Sequence, residues 1–174
     1  MDQSGILDEI IRLSNELNTV QDEDILLEKI LFEARKILNA DAGSIYVRQG
    51  DSLIFNHVQN DTIQRSLPPG RRLPYTVYTV QINTSSISGY VAATGEIVSI
   101  PDVYDIPRDC PYHFDPFFDT VSSYTTKSML TIPLKNNLGA VIGVLQIINA
   151  RDSSGSFIAF SKADEPFLLH FAGI

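Results

Sequence analysis

The segment from residue 102 to residue 126 holds the side chains that come nearest to a catalytic or metal-binding cluster. It carries aspartates and one histidine at close spacing, namely Asp102, Asp105, Asp109, His113, Asp115 and Asp119. Carboxylates and imidazoles are common metal ligands, but this spacing matches neither a closed zinc site nor an EF-hand loop. The pattern is typical of a solvated acidic loop, and we predict no metal site.

Aromatic side chains crowd the same segment: Tyr112, Phe114, Phe117, Phe118 and Tyr124. Their rings could stack on a planar ligand. They could equally anchor the long loop that we predict over residues 103–127. Loops of this length inside a compact domain are usually functional. Both interpretations are open at this point, and they do not exclude each other.

Hydroxyl side chains close the segment: Ser122, Ser123, Thr125 and Thr126. After Asp119 they resemble the start of a helix, where free backbone N–H groups can hold a phosphate. The alternative is an ordinary turn that is capped by its own hydroxyls. The two hypotheses have equal support in the sequence.

The rest of the chain contains no complete catalytic motif. There is no Ser–His–Asp arrangement, phosphate-binding P-loop or glycine-rich dinucleotide fingerprint. Cys110 is the single cysteine, so no internal disulfide can form, which fits a reducing compartment. His57 could ligate haem, but a lone histidine on a strand is far more often packed. We therefore expect this segment not to be an enzyme.

The composition of the chain restricts the kinds of partner that it is expected to bind. The 174 residues carry a formal charge of −8, which argues against nucleic acid and against anionic membrane surfaces. No run of about 18 apolar residues is present, so no membrane-spanning segment is predicted. The first twenty residues are acidic and lack a hydrophobic block, so they are not a secretory signal. A cytoplasmic location is the expectation.

Two amphipathic helices are predicted at the start of the chain. In residues 5–20 the apolar positions are spaced 4, 3, 4, 3, which is typical of a coiled-coil seam, although it lasts only about two heptads. Residues 1–21 are therefore either a dimerisation helix or a helix packed on its own domain. A second helix is predicted from Asp22 to Leu38, with one apolar face, ended by Asn39.

The pattern then changes to the period of two that strands show. Residues 42–48 and 52–58 read as a hairpin, and residues 75–82, 96–100, 128–135 and 140–149 as further strands. A short helix is predicted over residues 86–94, with Ser85 or Ser86 as its N-cap and Gly95 at its end. This order predicts a three-layer α/β sandwich, with an antiparallel sheet between helices and a cavity under the long loop.

Three blocks of sequence carry a family resemblance. SISGYVAATGEIVSIPDVYDIP resembles the central block of the GAF domain, and SYTTKSMLTIPLKNNLGAVIGVLQIINA is similar to the block that follows it. The segment FSKADE resembles the end of the family signature. The resemblance implies that residues 22–174 are a GAF domain, with the PAS/profilin-like sandwich of about six antiparallel strands and helices on both faces. Such domains are mostly sensory modules.

The resemblance also implies site residues. Nucleotide-binding members contact their ligand at the positions of Ser44, Ile87, Ser88, Asp119, Ser122, Thr126 and Gln146, with the family's Phe-Asp pair near Gln59 and Asn60. With the aromatic side chains Phe114, Phe117, Phe118 and Tyr124, these are the predicted ligand-binding residues. The predicted signature residues are Asn149, Phe160, Asp164 and Glu165. Gln146 stands where the family has glutamate, and Ala150 where it has lysine, so Arg151 or Lys162 would have to replace that lysine as the partner of Asp164. Ser161 and Asp164 also read as a capping box with Phe160 as a staple residue.

These observations predict the N-terminal sensory module of a larger bacterial-type signalling protein. Its ligand would be a small molecule, with cyclic nucleotides as one candidate, and its terminal helices would pair two copies and relay the signal. Because LLHFAGI ends inside a predicted helix, we expect an output domain to follow: an HD-type phosphodiesterase, a diguanylate cyclase or a histidine kinase. The alternative is a ligand-free dimerisation module.

Overall fold

A computed structural model describes residues 22–71, 73 and 78–164. It begins with helix α1, Glu23–Ile37, close to the predicted bounds. The Asp22 carboxylate caps the helix by accepting hydrogen bonds from the backbone N–H groups of Asp24 and Ile25. The chain then turns at Asn39, whose φ of 47° lies in the left-handed region. The predicted coiled-coil helix of residues 1–21 lies outside the described residues.

Seven strands make one sheet. They are β1 Ala40–Gln49, β2 Ser52–Asn60, β3 Thr79–Gln81, β4 Val98–Ile100, β5 Met129–Lys135, β6 Val141–Arg151 and β7 Phe157–Ile158. Six of them lie side by side in the order β3-β2-β1-β6-β5-β4, and β7 pairs with β6. All pairs are antiparallel, as the hairpin patterns predicted. Only residues 78–82 of the predicted third strand are described, and β3 occupies three of them.

The remaining helices are short. They are α2 Asp61–Ser66, a 3-10 turn at Val103–Asp105, α3 Ile87–Thr94 and α4 Phe117–Ser122. Helix α4 lies in the segment that we predicted to be a long loop, and α2 lies between two predicted strands, where we had predicted no helix. The N-cap of α2 is Asn60, whose side chain accepts from the backbone N–H of Ile63. The predicted terminal helix from residue 163 falls almost wholly outside the described residues.

The sheet is covered on both faces, which confirms the predicted sandwich. On one face α1 packs through Leu31 and Ala34 against Ile45 and Leu145. On the other face lie α3 and the segment before β5, packed on a second apolar cluster that includes Val144. Strands β1, β6 and β5 are buried along most of their length, because each is paired on both edges and lies between covering segments on both faces.

Helix α3 lies unusually close to the chain that precedes it. Ser86 caps it, accepting from the backbone N–H of Gly89, and Gly95 ends it with a φ of 71°, as predicted. A Cβ at Gly89 would come within 2.7 Å of the carbonyl oxygens of Gln81 and Asn83. Glycine is therefore needed there, and it lets α3 lie directly against the end of β3. Among the described residues, no helix has the length and apolar character to cross a membrane.

Candidate functional site

A row of three polar side chains crosses the middle of the sheet beneath α3. Ser44 on β1 is in register with Gln146 on β6, and Gln146 is in register with Thr131 on β5. Each alternates with residues that pack under α1, so all three face the α3 side. They are 3%, 6% and 0% exposed, respectively. The row is thus a buried polar strip within an otherwise apolar layer.

The hydrogen bonding of this row is incomplete. Gln146 Oε1 accepts from the hydroxyl of Tyr46 at 3.1 Å, but its Nε2 has only the thioether sulfur of Met129, at 3.5 Å. Sulfur is a weak acceptor. The Thr131 hydroxyl is buried and has no hydrogen-bond partner. Buried polar groups are nearly always paired, and an unpaired one costs about 1–3 kcal/mol, so these two groups mark a place where a polar partner would be stabilising.

Four aromatic rings fill the space beside the row. Ring centroids are 5.3 Å apart for Tyr46 and Phe55, 4.5 Å for Phe55 and Tyr78, and 4.8 Å for Tyr78 and Phe118. The hydroxyls of Tyr46 and Tyr78 are 2.8 Å apart. We predicted a cavity between the sheet and the long loop; beside the polar row that space is filled by these rings. The rings occupy the space because they can stack on each other as well as on a ligand.

Two cavities among the described residues lie away from the polar row. One, of about 190 Å³, lies between β4 and the predicted long loop and borders Pro101, Cys110 and Tyr112. The other, of about 560 Å³, is an open groove between α1, β2 and α2, bordered by Phe32 and His57 among others. In the described part of the chain no three His, Cys, Asp or Glu side chains are grouped so that they could hold a metal ion.

Helix α4 covers the aromatic rings and is held by Asp119. The Asp119 carboxylate accepts from the backbone N–H of Thr126 at 2.7 Å and from its hydroxyl at 2.7 Å. It also accepts from the Tyr104 hydroxyl at 2.8 Å. Phe118 remains 44% exposed and Phe117 58%. Asp119 and Thr126 therefore hold the covering segment in place, while the rings of Phe117 and Phe118 on α4 are only half withdrawn from water.

The predicted helix start after Asp119 is wrong. Helix α4 ends there instead: Ser122 is its last residue, and Ser123 has a φ of 55°. The Ser122 hydroxyl donates back to the carbonyl of Phe118, and its oxygen accepts from the N–H of Tyr124. The backbone N–H of Thr126 is taken by Asp119. The turn that is capped by its own hydroxyls is thus the interpretation that fits.

The other predicted ligand-binding residues divide between two faces. Ile87 and Ser88 lie at the start of α3, on the same side of the sheet as the polar row, and are 4% and 5% exposed. Phe114 is partly buried in the same layer, against Tyr104. Gln59 lies on the opposite face, where it accepts from Arg35 of α1 and donates to the carbonyl of Glu28.

Two further predicted residues serve other contacts. The Asn60 side chain is used as the cap of α2. Tyr124 donates through its hydroxyl to Asp41 at 2.9 Å, away from the row. The structure therefore brings together Ser44, Gln146, Ile87, Ser88 and the α4 residues, but not Gln59, Asn60 or Tyr124.

The signature residues hold the fold. Asn149 is fully buried, and its side chain accepts from the backbone N–H groups of Lys127 and Ser128. Phe160 is buried in the cluster under α1. Asp164 accepts from the backbone N–H of Ser161 at 2.6 Å, which is half of the predicted capping box. Glu165 lies outside the described residues.

Arg151 does not replace the missing lysine. Its guanidinium contacts Asp41 at 3.1 Å and Asp61 at 3.3 Å rather than Asp164. The residue therefore belongs to a buried ion-pair network on β1 and α2. The prediction that Arg151 takes the place of the family's lysine was wrong, because β6 directs the Arg151 side chain toward Asp41 on the neighbouring strand β1.

Three tyrosines in and near the site have pKa values above the usual value of about 10. For Tyr46 and Tyr78 burial is the main cause of the raised pKa. For Tyr124 burial comes first and the Asp41 carboxylate second. In each case the neutral phenol is favoured, because a phenolate would lose its hydration. The site therefore contains hydroxyl groups that stay protonated in any physiological condition.

We predict an alkaline limit to stability from these tyrosines. In the unfolded chain their phenols ionise near pH 10, whereas the folded protein keeps them protonated. Their contribution is thus complete below about pH 10 and is lost as the pH rises further. Chemical denaturation at stepped pH, followed by phenolate absorbance, should show unfolding and ionisation together. Replacement Tyr46→Phe should make the loss shallower. Ionisation of all tyrosines near pH 10 without unfolding would contradict this.

Sequence reasoning missed Thr131, Tyr46, Phe55 and Tyr78. Each of them lies in a strand or next to one, where its residue type is common and gives no indication of a site. The period of two in β5 was a usable signal for Thr131, because it placed a polar residue between Leu130 and Ile132 on the face opposite to theirs. What it could not give was the cross-strand register with Gln146.

A family model for the GAF domain matches residues 22–174. The chain belongs to the GAF domain family. This GAF domain is 30% identical over 191 positions to a Drosophila melanogaster protein named dual 3′,5′-cyclic-AMP and -GMP phosphodiesterase 11, covering 100% of the chain and 12% of that protein. It is 33% identical over 173 positions to phosphodiesterase 11A of Takifugu rubripes, a protein also named as dual, covering 93% and 17%. The chain thus spans less than a fifth of the length of these curated relatives.

Solved structures share the fold. The GAF domain of a phosphoenolpyruvate-protein phosphotransferase from Coxiella burnetii superposes with a TM-score of 0.70 at 17% identity, covering 99% of this chain and 90% of that one. The corresponding domain from Acinetobacter gives 0.68 at 20% identity, with coverage of 99% and 90%. These likenesses confirm the antiparallel GAF sandwich.

Proposed function

We propose that this chain is the regulatory, ligand-binding module of a longer signalling protein and is not itself an enzyme. The observation that carries the proposal is the unpartnered hydroxyl of Thr131 next to the poorly paired amide of Gln146. A fold that buries such groups at its centre is stabilised when a ligand supplies the missing partners. The similarity to two cyclic-nucleotide phosphodiesterases makes cyclic AMP and cyclic GMP the first probes.

The ligand would enter by displacing the ring of Phe118. That ring is half exposed, so its removal uncovers less apolar surface than removal of the buried rings of Tyr46 or Phe55 would. Movement of α4 would be transmitted through Asp119 and Thr126 to Tyr124, whose hydroxyl contacts Asp41 on β1. A ligand can shift such an equilibrium only by its difference in affinity for the closed and open arrangements.

The proposal extends to partners. Residues 1–21 and the C-terminal residues would pair two copies of the chain and relay the movement to an output domain of the same protein, in the cytoplasm. The network of Arg35, Asp41 and Arg151 supports this route, because it joins α1 to β1 and β6, next to the covering segment. The proposed outputs are those predicted from sequence: an HD-type phosphodiesterase, a diguanylate cyclase or a histidine kinase.

The test is calorimetry and thermal unfolding with cyclic AMP and cyclic GMP, together with native mass spectrometry for carried-over ligands. Thr131→Val removes the hydroxyl but keeps the side-chain shape. We expect the variant to be as stable as the parent or up to about 1 kcal/mol more stable, and to bind about ten-fold more weakly. Thr131→Ser, which keeps the hydroxyl, is the matched control and should retain most affinity. A parent protein that carries no ligand and gives no heat would refute the proposal.

A second candidate is a ligand-free structural and dimerisation module. The observation that favours it is the packing of Tyr46, Phe55, Tyr78 and Phe118 into the pocket. Phe118→Ala separates the two functions. A ligand-binding module should bind its ligand at least as tightly after this change, since the displaced ring is gone. A ligand-free module should only lose stability and keep its dimeric mass by light scattering.

A further inference from the structure

We infer that the ligand of this site is an uncharged planar ring with a neighbouring N–H donor and C=O acceptor, rather than an anion. This inference rests on the proposed function and narrows the chemical class of its ligand. The relevant features are the hydrogen bonds that the polar row still lacks, the distribution of charge around it, and the aromatic wall beside it.

Two groups of the row lack hydrogen-bond partners. The amide N–H groups of Gln146 lack a strong acceptor, and the Thr131 hydroxyl lacks both a donor and an acceptor. Gln146 Nε2 carries two N–H groups and finds only the Met129 sulfur, at 3.5 Å. The Thr131 hydroxyl can donate and accept, and does neither within the protein. Residues in register on neighbouring antiparallel strands have Cβ atoms about 4.5–5.5 Å apart. A ring amide fits this spacing: its C=O accepts from Gln146 while its N–H donates to Thr131.

The charge around the row disfavours an anion. Arg35 is the one basic side chain that is buried within the described part of the chain, and it lies under α1, paired with Asp61 at 2.6 Å. Lys135 donates to the carbonyl of Gly95 at the far end of α3. The charged groups of the covering segment include the carboxylates of Asp115 and of Asp119, which is 8% exposed. A buried anion without a cation is costly, and a carboxylate nearby increases that cost.

The aromatic wall suits a flat ligand. Tyr78 stacks with Phe118 at a centroid distance of 4.8 Å and an interplanar angle of 36°. This wall adjoins the row through Tyr46, whose ring packs on Phe55 and whose hydroxyl donates to Gln146. A flat heterocycle bound at the row would therefore meet ring surfaces beside its polar edge.

The test compares neutral and phosphorylated forms of one base. Calorimetry on the complete chain should show guanosine, which has the N–H/C=O edge, binding at least ten-fold more tightly than cyclic GMP and than adenosine, which lacks that edge. Gln146→Leu should weaken guanosine about ten-fold, and it should also lower the stability without ligand, because the Tyr46 hydroxyl loses its acceptor. Binding of guanosine should also be insensitive to salt, because no ion pair forms.

The outcomes separate the two levels of the proposal. If cyclic GMP or cyclic AMP binds more tightly than its nucleoside, the inference of a neutral ligand is overturned while the regulatory function stands. Equal binding of guanosine and adenosine would overturn the role assigned to the ring amide. If no nucleoside or cyclic nucleotide binds and native mass spectrometry finds no ligand, the proposed function fails along with this inference.

Discussion

Replacing Asp41 by asparagine is expected to lower the free energy of unfolding by about 3–5 kcal/mol. The Asp41 side chain is completely buried on β1. One carboxylate oxygen contacts Arg151 at 3.1 Å, and the other accepts from the Tyr124 hydroxyl at 2.9 Å. Asparagine keeps the shape but removes the charge that compensates a guanidinium only 21% exposed. Breaking such a pair is costly, because the partly buried guanidinium then keeps only the half-exposed Asp61 as its partner.

The matched control is Asp61→Asn. Asp61 contacts Arg35 and also Arg151, but its side chain is 47% exposed. Water can replace much of what is lost, so we expect a decrease of about 1 kcal/mol. Both values follow from urea denaturation monitored by circular dichroism. If the two variants are destabilised equally, the burial of Asp41 does not explain its contribution to the free energy of unfolding.

Replacing Asn149 by alanine is expected to cost about 4 kcal/mol. Besides accepting from two backbone N–H groups, its side chain donates to the Tyr124 hydroxyl and to the carbonyl of Thr125, each at 2.8 Å. Alanine leaves several of these buried groups unpaired, at about 1–3 kcal/mol for each group that water cannot reach. The φ of 57° adds strain, since alanine disfavours the left-handed region by about 1–2 kcal/mol.

Asn149→Gly separates the two causes. Glycine loses the same side-chain hydrogen bonds but adopts the left-handed backbone freely. We therefore expect Asn149→Gly to be about 1 kcal/mol more stable than Asn149→Ala, and both to be far less stable than the parent. Denaturation curves of the three proteins measure this directly. A parent-like stability for either variant would mean that the segment from Tyr124 to Ser128 is held by other contacts.

Local patterns were reliable where one segment sets its own structure. The apolar spacing of residues 22–38 predicted α1, because an amphipathic helix of this length has a period that few other structures share. Ser86 and Gly95 were predicted as the ends of α3, since a hydroxyl cap and a left-handed residue are local requirements. Helices α2 and α4 escaped prediction because each has only six residues, too few to show a period.

The site was predictable only in part. Resemblance to the family located Ser44 and Gln146, but Thr131 has no meaning as a site residue until β5 pairs with β6 in a given register. Gln59 and Asn60 are the last two residues of β2, yet they contact α1 and α2 rather than the polar row. A side chain at a strand end contacts whichever helix packs next to it, and the sequence does not show which helix that is.

By itself, the sequence determined the antiparallel sandwich, the family, the acidic character and the end residues of the main helices, because these depend on composition and on periods within one segment. Tertiary structure alone decided that a polar row is buried beneath α3 and that aromatic rings pack beside it. The physical reason is that burial and hydrogen-bond pairing are properties of groups far apart in the chain. They acquire values only when strand register and packing bring those groups together.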